Sequence, residues 1–194
     1  MNIKQLLCLV MGLMLGMGAM AQESSRIMTS WGENLDKENV WNVYPRPIME
    51  RGEWINLNGE WNYAVTSLQS ATPSQYEGEI LVPFAIESQL SGVERRLSEN
   101  DALWYQRTFT LPASWRSRRV LLHFGAVDWQ ADVWVNGVKV GRHTGGYTPF
   151  SFDVTAALRK GENNLEVRVV DTTDKGYQPR GKQVSNPGGI WYTP

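Results

Sequence analysis

Asn136-Gly137, set between two alternating runs, constrains the fold more than any other feature of this sequence. Upstream, Trp129 to Val135 reads WQADVWV, with Trp129, Ala131, Val133 and Val135 at every second position, and Val138-Lys139-Val140 follows downstream. A two-residue connection of this kind needs positive φ at both positions, which Asn and Gly tolerate, so the pair marks a tight β-hairpin. A lone hairpin is at best marginally stable in water, so other strands must join it.

The remaining sequence supplies them. Glu60 to Val65 alternates after Asn58-Gly59, Ile80-Leu81-Val82 is a short apolar run stopped by Pro83, and Leu103 to Leu111 and Val120 to Phe124 also read as strands. Phe150, Phe152 and Val154 alternate, as do Leu165, Val167 and Val169 beyond Gly161. Between these two runs, Asp153 or Thr155 is expected to cap one helical turn over Ala156 to Arg159. Segment 87–101 is polar, carries Arg95-Arg96, and is predicted to be a long surface loop. Gly141-Arg142-His143-Thr144-Gly145-Gly146 reads as a glycine-rich loop, without the strand-to-helix context of a phosphate cradle. No long window after the first 21 residues keeps a helical period. Short strands at regular spacing, separated by Gly, Pro and Asn, predict an all-β jelly-roll sandwich.

The chain begins differently. After Lys4, an unbroken run of apolar and small residues extends from Leu6 to Ala21 and closes on Ala19-Met20-Ala21. This is the small-x-small pattern of a signal-peptidase site, so residues 1–21 are predicted to be a secretory signal with Gln22 as the new N-terminus. The run is shorter than the about 18 residues that suggest a spanning helix, although a retained membrane anchor is the alternative. Residues 22–43 read as a polar arm, with Tyr44-Pro45-Arg46-Pro47 as an extended entry to a domain over 44–194. The expected location is exported, periplasmic or extracellular, with no membrane association after cleavage.

The composition narrows the chemistry. With 19 Lys+Arg against 20 Asp+Glu, nothing invites a phosphate backbone or an anionic lipid surface, and no nucleic-acid partner is expected. The one cysteine, Cys8, falls in the leader, so neither a disulfide nor a thiol nucleophile is expected beyond it. Of the two histidines, His123 reads as a hydrogen-bonded strand residue and His143 lies in the glycine-rich run, too few for a zinc-type site. A calcium ion held by Asp and carbonyl oxygens needs no linear motif, but the sequence does not indicate one. No cofactor or metal is assigned. The nine tryptophans suit both core packing and sugar platforms, and packing is the expected role for most.

Asp171 and Asp174 follow the last alternating run, where a loop could present them to a ligand or fold them onto their own backbone as turn residues. A retaining glycosidase needs two carboxyl groups about 5–5.5 Å apart, a spacing that sequence does not reveal. The stretch from Asp171 ends in Gly188-Gly189-Ile190-Trp191-Tyr192, which reads as a new strand interrupted at Pro194 and suggests truncation or a strand borrowed from elsewhere.

In order and at compatible spacing, a further set of motifs carries a family resemblance. These are Tyr44-Pro45-Arg46-Pro47, Leu57-Asn58-Gly59-Glu60-Trp61, Val82-Pro83-Phe84 with Glu87-Ser88, and Leu103-Trp104-Tyr105-Gln106-Arg107-Thr108-Phe109. His123-Phe124-Gly125-Ala126-Val127-Asp128 follows, leading to Val133-Trp134-Val135-Asn136-Gly137, then His143, Gly145-Gly146-Tyr147 and Phe150 to Asp153. From about Tyr44 onward the chain resembles the N-terminal sugar-binding domain of glycoside hydrolase family 2, the β-galactosidase, β-glucuronidase and β-mannosidase group. That resemblance implies a galactose-binding-domain-like jelly roll, followed in the family by an immunoglobulin-like sandwich and a TIM barrel that carries both catalytic glutamates. A barrel alone takes about 250 residues, so no catalytic residue is assigned and the domain is not expected to hydrolyse anything alone.

The implied partners are a β-galactoside-like carbohydrate and a catalytic TIM-barrel domain of the same or a neighbouring chain. By motif position, Asn100 resembles a family asparagine that hydrogen-bonds the substrate sugar. Arg180 and Gln183, in Arg180-Gly181-Lys182-Gln183, lie where the family places polar side chains toward that subsite, and Asp171 completes the expected substrate-binding set. Two other readings stay open: a free-standing secreted carbohydrate-binding module, and a structural domain that holds a partner subunit.

Overall fold

A computed structural model describes residues 28–46, 48–186 and 188. The predicted leader and the strand expected at Ile190-Trp191-Tyr192 lie outside these residues. The chain divides between Leu35 and Asp36 into two compact units. The described part of the first holds one helical turn, α1 (Ser30–Glu33), started by Thr29, whose Oγ1 accepts from the Gly32 N–H at 3.1 Å.

The described part of the second unit holds eight strands: β1 (Gly59–Ser67), β2 (Gly78–Val82), β3 (Asp101–Thr110), β4 (Leu121–Phe124), β5 (Gln130–Val135), β6 (Val138–Thr144), β7 (Phe150–Asp153) and β8 (Glu162–Val170). Six form one sheet in the order β2-β1-β3-β8-β5-β6, and β4 pairs with β7 in a second. Every pairing is antiparallel. This is the predicted all-β jelly-roll sandwich. Its core follows from the period-two alternation of side chains: in β8, Asn163, Leu165, Val167 and Val169 are buried while their neighbours are not. They meet Trp61, Ile80, Leu103, Ala131, Val133 and Val135 from the same sheet, with Leu122, Phe124, Phe150 and Phe152 of the small sheet packed against them. Each fully buried Val, Leu or Ile side chain contributes about 1.5–3 kcal/mol.

The hairpin forms as predicted. Asn136 and Gly137 take φ of 52° and 79°, and the asparagine side chain does more than tolerate the turn. Its Nδ2 donates to the Ala157 carbonyl and to Asn163 Oδ1, both at 2.8 Å, and its Oδ1 accepts from the Asn164 N–H at 2.9 Å. The turn is thereby tied to the start of β8.

Three local readings need correction or refinement. Gly141 to Thr144 is not loop but the second half of β6. Gly141 sits where a Cβ would lie 2.1 Å from the Phe152 ring, so the glycine marks a close approach inside a strand. The helical turn after β7 is a 3-10 turn over Thr155–Ala157, earlier and tighter than expected, with Asp153 Oδ1 accepting from the Thr155 N–H at 3.0 Å. Segment 87–101 is largely loop, but it contains a 3-10 turn, Gln89–Ser91, and the buried Ser91 hydroxyl donates to the carbonyls of Ile86 and Ser88. Trp61 packs in the core and Trp104 is buried on the opposite face of the sheet, in keeping with the packing role expected for most tryptophans, whereas Trp41 is exposed.

Candidate functional site

The sheet register gathers several chain connections at one edge. β8 ends at Val170, which pairs with Gln130 at the start of β5, and Gln130 also pairs with Thr144 at the end of β6. The Trp129 N–H donates to the Val170 carbonyl at 3.4 Å, and the Gly145 N–H to the Trp129 carbonyl at 2.8 Å. Residues just before β5, just after β6 and just after β8 therefore share one rim. The β1–β3 register, in which Ser67 faces Asp101, brings Asn100 to the same edge, where its carbonyl accepts from the Leu68 N–H at 3.0 Å.

At the centre of this rim stands Asp128, joined to Trp129 by a cis peptide bond. Gly146 lies against its carboxylate so closely that a Cβ there would meet Oδ1 at 2.3 Å. Asp128 Oδ1 is buried without a hydrogen-bond partner. That burial, and then the negative charge of Asp171, push the Asp128 pKa up to about 6. Glu87 is also raised, chiefly by burial and further by Asp171, although hydrogen bonds from its own backbone and that of Leu97 pull the other way. Tyr105 is raised by burial and by the charge of Glu87. Glu87, Asp128 and Asp171 thus form an acidic rim.

The loop after β8 frames that rim. Asp171 Oδ1 accepts from the Thr173 N–H at 2.8 Å, the self-bonded turn weighed from the sequence, while Oδ2 accepts from Gln183 Nε2 at 3.0 Å. Asp174 does not close a local turn but ties the loop together: Ser185 donates to it through both N–H and hydroxyl, and its pKa falls to about 2 through those bonds. Gln183 and Arg180 close a turn, with Gln183 N–H donating to the Arg180 carbonyl at 3.0 Å and Arg180 Nη1 to the Gln183 carbonyl at 3.1 Å. Gly181, at φ 58°, brings this turn beside the Tyr147 hydroxyl, whose residue is 63% exposed.

Of the four residues selected from the sequence, Asp171 and Gln183 are in direct contact and Arg180 shares the Gln183 turn. Asn100 is exposed at the same sheet edge, where its N–H donates to Ser98 Oγ at 3.3 Å. Sequence reasoning gave no role to Asp128, Glu87 or Tyr147, although all three fall within quoted motifs. Their common signal is a polar or aromatic residue in a loop between strands.

Carboxylates, a primary amide and a guanidinium around an open rim suit hydrogen bonding to adjacent sugar hydroxyls. Neither histidine joins them. His143 Nε2 faces the Gly145 carbonyl at 3.1 Å, and His123 Nδ1 pairs across the small sheet with Ser151 Oγ at 2.5 Å. Among the described residues no group of three or more His, Cys, Asp or Glu side chains is arranged to hold a metal ion.

Comparison with known proteins identifies the family. Residues 82–191, more than half of the chain, match the family model described as glycosyl hydrolases family 2, sugar binding domain. A β-glucuronidase of Paenibacillus borealis is 28% identical over 135 residues, covering 66% of this chain and 22% of that protein. A β-galactosidase of Thermoanaerobacter pseudethanolicus is 30% identical over 145 residues, covering 71% of this chain and 20% of that protein. The structure of Bifidobacterium dentium β-glucuronidase complexed with coumarin-3-O-glucuronide superposes with a TM-score of 0.52 at 34% identity, covering 59% of this chain and 19% of that one. The chain spans about a fifth of the length of these curated relatives.

Proposed function

This chain belongs to the family of glycosyl hydrolase family 2 sugar-binding domains, and from that premise we propose that its acidic rim forms one wall of the sugar subsite of an exported, retaining exo-β-glycosidase. In this reading Asp171 and Gln183 bind adjacent hydroxyls of the sugar, Arg180 and Asn100 flank them, and Asp128 sets the electrostatics beneath. The general acid and the nucleophile come from a TIM-barrel domain of the same or a neighbouring chain. The observation that carries the reading is the Asp171–Gln183 pair, held by a 3.0 Å hydrogen bond at an open sheet edge.

The charge of the rim favours a neutral, β-galactoside-like sugar over a glucuronide. Glu87, Asp128 and Asp171 would repel a uronate carboxylate. One wall encloses little of a ligand, whereas useful small-molecule sites bury about 70–90% of it. The domain alone should therefore bind sugar with Kd of about 1 mM or weaker, roughly −4 kcal/mol.

An NMR titration of the chain with methyl β-galactoside and methyl β-glucuronide tests this. The galactoside should shift amides from Asp171 to Gln183 and from Gly145 to Tyr147, and Asp171→Ala should abolish those shifts. Shifts elsewhere only, or tighter binding of the glucuronide, would refute the reading. A sub-micromolar Kd would point instead to a free-standing binding module.

A further inference from the structure

We propose that the outward face of the six-stranded sheet carries a second saccharide-binding groove, selective for sugars that bear a carboxylate or sulfate group. The register assembles it from outward-pointing residues: Trp104 and Asp132 both pair with Arg168 of β8, Arg142 pairs with Asp132, and Lys139 with Trp134. The resulting groove has a volume of about 340 Å³ and is walled on one side by the loop that follows β1, including Thr72. That volume lies within the about 300–1,000 Å³ common to small-molecule sites.

Its floor is the partly exposed Trp134, stacked on the buried Trp104 with ring centroids 5.4 Å apart, while Lys139 and Arg168 lie over the two rings at 5.3 Å and 6.0 Å. Its charge is unbalanced. Asp132, 2% exposed, accepts from Arg142 Nε and Nη2 at 2.7 Å and 2.8 Å and from Lys139 Nζ at 2.6 Å, with Arg168 Nη1 at 3.8 Å. Three cations thus meet one carboxylate. Glu166, which pairs with Trp134 across the strands, is a second carboxylate and accepts from the Tyr76 hydroxyl at 3.3 Å, so three cations face two carboxylates and the balance stays positive.

Donor capacity remains for a ligand. Arg142 has five N–H groups and lysine three, and Asp132 engages only part of them. Their side chains are 53% and 46% exposed, so the excess positive charge opens to solvent. The partly exposed Trp134, bordered by cationic donors, matches a sugar ring carrying an anionic substituent, since charge-assisted bonds are roughly twice as strong as neutral ones. A neutral sugar would leave those donors unmatched, and this separates the groove from the acidic rim.

The test is an NMR titration of the full chain with three probes: tetragalacturonate, a sulfated galactan tetrasaccharide and neutral cellotetraose. At least one acidic probe should shift the amides of Thr72, Trp134, Lys139 and Arg142, and cellotetraose should not. Binding should weaken about tenfold in K139Q/R142Q, be retained in K139R, and fall at about 1 M salt, where the Debye length is only about 3 Å. Because Arg168 still faces Asp132, the double variant should keep its dispersed spectrum. The single variant K139Q should show a smaller loss in the same direction. The proposal is overturned if no acidic probe shifts these amides, if cellotetraose shifts them equally, or if Asp171→Asn abolishes the effect, which would place the ligand on the rim.

Discussion

Replacing Asp128 by asparagine should make the protein more stable at neutral pH, although it removes a charged group from the candidate site. Burial and the neighbouring Asp171 raise the Asp128 pKa from 3.8 to about 6. At about 1.36 kcal/mol per unit this sets a ceiling near 3 kcal/mol. The side chain is only partly buried, so solvent screening reduces the expected effect to about 1–2 kcal/mol. Below pH about 4 folded and unfolded chains both hold the proton, and Asp128 costs nothing. Between about pH 4 and 6 the unfolded chain releases its proton while the folded one retains it, so stability falls as pH rises. Above about pH 6 the full cost is present. Asparagine has nearly the shape of the protonated acid and carries no charge, so it escapes this cost. Urea unfolding followed by tryptophan fluorescence, at about pH 4.5, 6 and 7.5, should show Asp128→Asn gaining about 1–2 kcal/mol over wild type at the highest pH and converging with it at the lowest. A difference that does not change with pH, or one that grows toward acid, would refute the electrostatic reasoning.

Asn136→Ala should lose about 2–4 kcal/mol by urea unfolding, because it deletes three hydrogen bonds of about 1 kcal/mol each and puts a Cβ-bearing residue without local bonding at φ 52°. Asn136→Gly should recover only the conformational part of that loss. Gly141→Ala should cost about 1–3 kcal/mol in the same assay, through overpacking against the Phe152 ring. If the leader is processed as proposed, intact mass of the exported protein should begin at Gln22, and a retained Met1 on a membrane-bound product would contradict it.

Most of the architecture was legible because it rests on local chemistry. Asn136-Gly137 fixes a hairpin by φ preference, and the alternation of Leu165, Val167 and Val169 fixes which face of β8 is buried. The glycine-rich run misled because Gly141 looks like a loop signal until Phe152, from another strand, is placed beside it. Half of the site was legible for a similar reason. Asp171, Arg180 and Gln183 lie in one polar stretch, and their hydrogen bonds close within it. Asp128 gave no such sign, since its environment depends on the pairing of Gln130 with Val170 and on the return of Gly146 over it.

Asp128 and Asp132 show how far the register, more than residue type, sets chemistry here. Both aspartates belong to one short stretch at the start of β5. Asp132 points to the outer face, where the register supplies Arg168 and Arg142 as cross-strand neighbours and the β6 strand brings Lys139. Burial alone would raise its pKa, but the hydrogen bonds and charges of Arg142 and Lys139 outweigh that and hold it below the ordinary carboxylate value. Asp128 lies just before the strand, where no cation follows from the pairing, so burial and then the charge of Asp171 raise its pKa. A shift of register by one residue would exchange the faces of the whole strand, removing both the acidic rim and the cationic groove. The hairpin that fixes that register therefore also decides where the acidic rim and the cationic groove can form.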